Sequence, residues 1–303
     1  MSAGLSRAAC PLCASIRPPS PLTSWEGLTW WSCRSCGGGW REPYVPETEA
    51  ADAETGDTYA RYLENLRFFE NIAREKADWV RRSAPLDLAS VLEVGPGTGA
   101  VADALVQGGF PLSRYTAVEA NPEFADALSR RGFAVFRGHT AEVMRAVAAH
   151  HNRESHSLVV LLDNVLEHVP DPGAFLSSLR DSLTIPCVVL VEVPNERGLR
   201  WRAPLHDALR GQRKPPTFPG HINLFTKRSL GRLLREVFPG HVSVRLKGLR
   251  HPDEVRRLLQ SEELPKAVPV VLGVLRALPF DHLLGVAYFL RATAHAAPPE
   301  RSA

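Results

Sequence analysis

The 303-residue chain has room for one large domain and a small accessory module. Its 44% hydrophobic and 23% charged residues are ordinary for a soluble globular protein, and a formal net charge of +3 is too small to argue for a nucleic-acid binder. No charged, apolar, small-residue segment of the secretory kind opens the chain, so a cytoplasmic protein is expected. The longest apolar region, 267–290, is interrupted by Pro269, Arg276, Pro279, Asp281 and His282. It falls short of the roughly 20 apolar residues of a transmembrane helix, so no membrane span is expected.

Four of the five cysteines lie near the N-terminus, as Cys10-Pro-Leu-Cys13 and Cys33-Arg-Ser-Cys36. Two C-x-x-C pairs at this separation match a four-cysteine zinc site, each pair aiming two thiolates at one point. Gly37, Gly38 and Gly39 follow and supply the left-handed backbone such knuckles use. Two disulfides are the alternative, a weaker one in the cytosol. Trp25, Trp30 and Trp31 between the pairs predict a hairpin. Residues 1–45 therefore read as a zinc ribbon with one structural Zn(II) on Cys10, Cys13, Cys33 and Cys36. So small a unit cannot bury a sufficient core alone, and the metal would supply folding free energy. Residues 46–57 read as a linker.

Apolar residues near helical spacing predict a helix over 58–82, stopped by Pro85. From residue 89 strands and helices alternate, which predicts an α/β domain with a doubly wound, mostly parallel sheet. The strands are expected at 90–94, 114–118, 133–137, 157–163 and 186–193, and the helices at 99–108, 121–131, 141–149 and 172–183. A helix at 226–237, a strand at 241–246, a helix at about 253–277 and a last strand at about 285–292 complete a domain over 58–295. Residues 296–303 are a tail. Cys187 falls in an apolar strand and reads as core.

The first strand of this domain ends in Glu93-Val-Gly95-Pro-Gly97-Thr-Gly99 and runs into a helix. The glycines permit a tight turn and let a ligand approach the backbone, which the helix N-terminus then receives. A loop shaped only for pyrophosphate gains nothing from Glu93, whereas a ligand with an amino group does. Glu119 ends the second strand about twenty residues on, where an acid can accept hydrogen bonds from both hydroxyls of a ribose. Asn121 is a candidate cap for the following helix.

These residues resemble motif I and the ribose acid of the class I S-adenosylmethionine (SAM)-dependent methyltransferases. The resemblance implies a Rossmann-like seven-stranded sheet with an antiparallel last strand. It implies SAM as cofactor, held by Glu93, Gly95, Gly97, Gly99 and Glu119, with a helix ahead of the first strand that helps close over it. An acid often meets adenine after the third strand; here His139 stands in its place, so Thr140 or the backbone near Ala141 is expected to make that contact. Asp163 and Asn164, in a segment resembling the family's motif IV, should lie beside the transferring methyl group. In ubiquinone O-methyltransferases the comparable segment reads Glu-x-x-Glu-His and holds a divalent ion. Here it is Asn164-x-x-Glu167-His168, one carboxylate short, and no ion is expected. His168 is read as a capping and packing residue, or as a candidate base.

Gly220-His221-Ile-Asn-Leu-Phe-Thr226 resembles a segment found after the fifth strand in many bacterial methyltransferases. His221 is either a general base for the acceptor or a fastener of its loop, and Thr226 is a good helix cap. The basic stretch 197–214 could hold an anionic ligand or single-stranded RNA, or be a solvated loop. The expected function is methyl transfer to a small molecule, such as a sugar nucleotide or other natural-product intermediate. An rRNA methyltransferase that holds RNA with the ribbon and the basic stretch is one alternative, and a non-catalytic cofactor-binding scaffold is another. The oligomeric state is left open.

Overall fold

A computed structural model describes residues 9–43, 66–85, 89–138, 141–196, 220–247 and 289–296. The predicted linker, the basic stretch, the helix expected at 253–277, His139 and Thr140 all lie outside these residues.

The larger sheet has seven strands: β4 (Ala89–Val94), β5 (Tyr115–Glu119), β6 (Ala134–Arg137), β7 (Ser157–Asp163), β8 (Cys187–Pro194), β10 (Val242–Lys247) and β11 (Phe289–Ala296). Their order is β10-β11-β8-β7-β4-β5-β6. The five strands from β6 to β8 pair in parallel, and β11 pairs antiparallel to both β8 and β10. All six residues of β4 and all five of β5 are buried, as expected for parallel strands covered on both faces. The chain order reverses at β4, between β5 and β7, and such a switch point opens a crevice at the strand C-termini.

Among the described residues six α-helices accompany the sheet: α1 (Leu66–Ser83), α2 (Ala100–Gln107), α3 (Pro122–Arg130), α4 (Ala141–Glu154), α5 (Pro172–Ser182) and α6 (Lys227–Val237). Asn121 accepts from the amides of Glu123 and Phe124 at the start of α3, as its sequence position predicts. Thr226 starts α6 with a reciprocal capping box to Ser229. The parallel strands lie within a residue or so of their expected positions. The last strand does not: it is displaced toward the C-terminus, to Phe289–Ala296. The more apolar run before it drew the expectation early, but pairing of Leu290 with Val193 and of Ala296 with Cys187 fixes the register.

The N-terminal unit forms β1 (Ser20–Trp25), β2 (Leu28–Ser32) and β3 (Gly39–Glu42). The predicted hairpin is β1–β2. A third strand follows the second cysteine pair, and a two-residue strand from the larger unit, β9 (Asn223–Leu224), extends this small sheet in the order β1-β2-β3-β9. The cysteines, Leu12 and Trp40 share one apolar cluster with Leu176, Phe225, Leu233 and Phe238. A Cβ on Gly38 would stand 2.6 Å from Leu12 Cδ1 and 2.8 Å from Ser229 Cβ, so glycine there lets the knuckle seat on α6.

Candidate active site

Four acids stand at the C-terminal ends of adjacent strands: Glu119 on β5, Glu93 on β4, Asp163 on β7 and Glu192 on β8. Parallel pairing sets Glu93 beside Ala117 and Leu161, and Asp163 beside Glu192. Gly95, Gly97 and Gly99 all have positive φ, at +68°, +55° and +75°. A Cβ on Gly97 would meet nothing within 4 Å, so that side of the loop faces open space. One on Gly95 would touch Val165 Cγ2 at 3.4 Å, so the loop after β7 closes one flank of the glycine turn.

Glu119 accepts from the amide of Gly97 at 3.0 Å through Oε2 and from that of Asn121 at 2.8 Å through Oε1. Burial raises its pKa, against the pull of these backbone donors. A carboxylate has about four acceptor sites, so a ribose diol can share it. Glu93 is 2% exposed and accepts from the Tyr115 hydroxyl. Burial pushes it up to about 8, although that hydrogen bond pulls the other way.

Asp163 and Glu192 belong to a buried ionic network. Lys76, on α1, pairs with Asp163 and reaches Glu192 Oε1 at 3.3 Å. Arg291 pairs with Glu192 and, at 2.9 Å, with Glu75 Oε1. Lys247 Nζ lies 3.4 Å from Glu75 and 3.8 Å from Glu192. Burial alone would raise Glu192, but Lys76, Arg291 and Lys247 outweigh it and hold the carboxyl at about 2. Asp163 goes up, chiefly by burial. Asn164 takes a left-handed backbone at φ 54° and donates to Asp163 Oδ1 at 3.0 Å.

The two predicted histidines meet, although 53 positions separate them in sequence. The rings of His168 and His221 lie 5.1 Å apart at 77°. Gly220 O accepts from His168 Nδ1 at 2.9 Å, which makes Nδ1 the protonated nitrogen. Partial desolvation of the ring and then the neighbouring His221 lower His168 to about 4, although the residue keeps one side at the surface. His221 Nδ1 faces Glu196 Oε1 at 3.7 Å. Glu167 sits with them, 1% exposed, and burial raises its carboxyl well above the usual range.

Sequence reading missed Lys76, Glu196 and Arg291. Lys76 left one signal: it falls on the same face as Ala73, Ala77 and Val80, all buried. The partners of the others come from distant segments.

In the ribbon, the Sγ atoms of Cys10 and Cys36 are 3.8 Å apart and those of Cys13 and Cys33 are 3.6 Å apart. All four cysteines are buried and none is in a disulfide. A tetrahedral ion with bonds of about 2.3 Å to sulfur needs an S···S spacing of about 3.8 Å, so the donor set fits Zn(II).

The sheet order, the antiparallel last strand, the glycine turn and the acids at the tips of β4 and β5 together define a class I SAM-dependent methyltransferase. The chain belongs to the methyltransferase-domain family that matches residues 65–237, more than half its length. Among solved structures it resembles a SAM-dependent methyltransferase from Archaeoglobus fulgidus at 15% identity and a TM-score of 0.51, covering 78% of this chain and 99% of that one. It also resembles the magnesium protoporphyrin IX methyltransferase of Synechocystis PCC 6803, solved with S-adenosylhomocysteine bound. There the identity is 11% and the TM-score 0.49, over 83% of this chain and 100% of that one. Comparison with curated protein sequences finds no match. No helix among the described residues is long and apolar enough to cross a membrane.

Proposed function

We propose that the enzyme transfers the SAM methyl group to a small-molecule acceptor, with a sugar nucleotide or another natural-product intermediate as the class to screen first. The observation that carries this reading is the pairing of a cofactor cradle with a second, histidine-bearing wall. The cradle consists of Glu93, the 95–99 turn and Glu119. The wall is the loop after β7 together with Gly220 and His221, and Val165 joins it to Gly95. Asp163 and Asn164 stand between the two, where the methyl group would face the acceptor. The expected adenine contact, from Thr140 or the backbone near Ala141, belongs to the same proposal.

When bound, SAM supplies a sulfonium leaving group that is already positively charged. The protein must therefore align the acceptor and, where the acceptor carries a proton, remove it. His221 takes that role, with Glu196 near Nδ1 orienting the ring so that Nε2 receives the proton. His168 is the second candidate, also with its lone pair on Nε2, but its low basicity makes it the poorer proton acceptor. The ribbon holds a structural Zn(II) on Cys10, Cys13, Cys33 and Cys36, so one zinc per chain is expected in reduced protein.

Production of S-adenosylhomocysteine over an acceptor panel, followed with wild-type and His221→Ala protein, tests the assignment. Loss of a general base costs about 10²–10⁴-fold in rate, with cofactor affinity retained. Near-normal turnover by both the His221 and the His168 single variants would remove the base assignment. Failure of the wild type to bind S-adenosylhomocysteine would remove the cofactor site.

A further inference from the structure

Glu167 has an arrangement that methyl transfer from SAM does not itself require. Both of its carboxylate oxygens are buried and accept no hydrogen bond. A buried carboxylate without a partner is costly. Its backbone, by contrast, is held on both sides: the amides of Ile222 and Asn223 donate to Glu167 O at 2.8 and 3.0 Å. The Asn223 side chain donates to the carbonyls of Leu166 at 3.2 Å and Val169 at 2.5 Å. This clamp brings His221 to the loop that carries Glu167 and His168. One carboxylate oxygen and one nitrogen from each imidazole lie within 4.8 Å of one another.

The ring contacts follow the pattern of ligating histidines. Metal-bound imidazoles direct their other nitrogen to a carboxylate or a backbone carbonyl, which fixes tautomer and orientation. Here Gly220 O takes the Nδ1 proton of His168 at 2.9 Å, and Glu196 Oε1 stands 3.7 Å from Nδ1 of His221. Each imidazole offers one nitrogen to the cluster. Glu167 is buried while His168 is exposed, so the cluster is reachable from solvent.

We propose that Glu167, His168 and His221 form a site for a divalent first-row transition ion, distinct from the four-cysteine site. Two imidazoles and one carboxylate suit Zn²⁺, Fe²⁺, Co²⁺ or Ni²⁺ better than Mg²⁺ or Ca²⁺, which favour all-oxygen shells. Bonds of about 2.0–2.2 Å require donor spacings near 3.5 Å, which small side-chain rotations reach. Three protein ligands leave positions open for water or for an oxygen of the acceptor. That last role rests on the acceptor-side reading of the two histidines; cation binding does not. While an ion occupies the site, neither imidazole is the proton acceptor.

The test is a Co²⁺ titration of the full chain already carrying one equivalent of Zn²⁺, followed by visible absorption. The expected result is one further equivalent of Co²⁺ with weak d–d bands and no thiolate-to-metal charge transfer. Glu167→Gln and His168→Gln should each weaken that binding by more than about 100-fold, beyond the loss of an orienting partner. Both variants should retain their zinc and their affinity for S-adenosylhomocysteine. His168→Gln lies at the exposed end and serves if the buried variant misfolds. Absence of a second equivalent in the wild type overturns the proposal, as does unchanged Co²⁺ affinity in the folded variants. Neither result bears on methyl transfer, whose failure would appear separately as loss of S-adenosylhomocysteine binding by the wild type.

Discussion

Trp40, in the third strand of the ribbon, pairs antiparallel with Asn223, two residues beyond His221. The amide of Arg41 also donates to Ile222 O at 2.9 Å, and Thr226 Oγ1 approaches Cys36 O at 3.5 Å. The cysteine knuckles thus connect to the His221 segment, the proposed acceptor-side wall, through one short strand pair, and the apolar cluster beneath is continuous across the join.

The first prediction follows from that connection. Cys36→Ser, or zinc removal with a chelator, should lower turnover by at least about 10-fold while changing S-adenosylhomocysteine affinity little. The proposed cofactor cradle hangs from β4 and β5 of the larger sheet, whereas β9, two residues beyond His221, pairs with the small ribbon sheet. Calorimetric titration alongside a turnover assay separates the two effects. Equal loss of affinity and turnover would show that the ribbon supports the whole domain rather than this wall.

A second prediction concerns the cradle. Glu119→Ala should weaken cofactor binding by about 1–3 kcal/mol, through lost charge-assisted hydrogen bonds. Gly97→Asp should abolish it, because its Cβ enters the open face of the turn and adds a negative charge beside Glu119. The same titration checks both variants. Unchanged affinity in the Glu119 variant would defeat the ribose assignment.

The glycine turn and the two strand-end acids were legible because they are local. An acid, alternate glycines and a second acid one strand later keep their spacing however the rest of the chain folds. The parallel strands were legible for a similar reason: burial on both faces forces continuous apolar runs. The short strand β9 left no such trace. Two residues carry no periodicity, and their pairing with Gly39 and Trp40 is tertiary. In the segment resembling a metal motif, Asn164 stands where an acid was wanted, and the approach of His221 from a later segment is likewise tertiary. The backbone clamp from Ile222 and Asn223 brings His221 to the loop of Glu167.

A third prediction concerns pH. Burial raises Glu93 to about 8 in the folded protein, against about 4.5 for a free glutamate side chain. The folded state therefore holds a proton that the unfolded chain has lost, and stability falls as pH rises from about 4.5 through 8. By pH 7 the cost is on the order of 3 kcal/mol. Glu93→Gln should remove this slope, so its melting temperature should gain on the wild type from pH 5 to pH 8. The cofactor's amino group favours the ionised carboxylate. Binding near pH 7 should accordingly release up to one proton in the wild type and none in the variant. Calorimetry in buffers of different ionisation enthalpy reads that proton directly.

The last prediction concerns Lys76, which lies between Asp163 and Glu192 at 6% exposure. Burial alone would lower its ammonium, but the two carboxylates outweigh it. Lys76→Met removes the cation and leaves its partners buried, and breaking such a pair typically costs about 3–5 kcal/mol. Glu192, held at about 2 in the fold, contributes stability above its unfolded value near 4.5, and that contribution is lost as pH falls toward 2. The contribution is on the order of 3 kcal/mol. The variant should raise the Glu192 pKa and bring acid unfolding to a higher pH. Adding Asp163→Asn to Lys76→Met should recover part of the loss, because it removes one of the carboxylates left unpaired. Urea unfolding of the two single variants and the double variant, at pH 7 and pH 4, checks the sign. Strictly additive losses would show that Lys76 acts through Glu192 alone and that its contact with Asp163 contributes nothing.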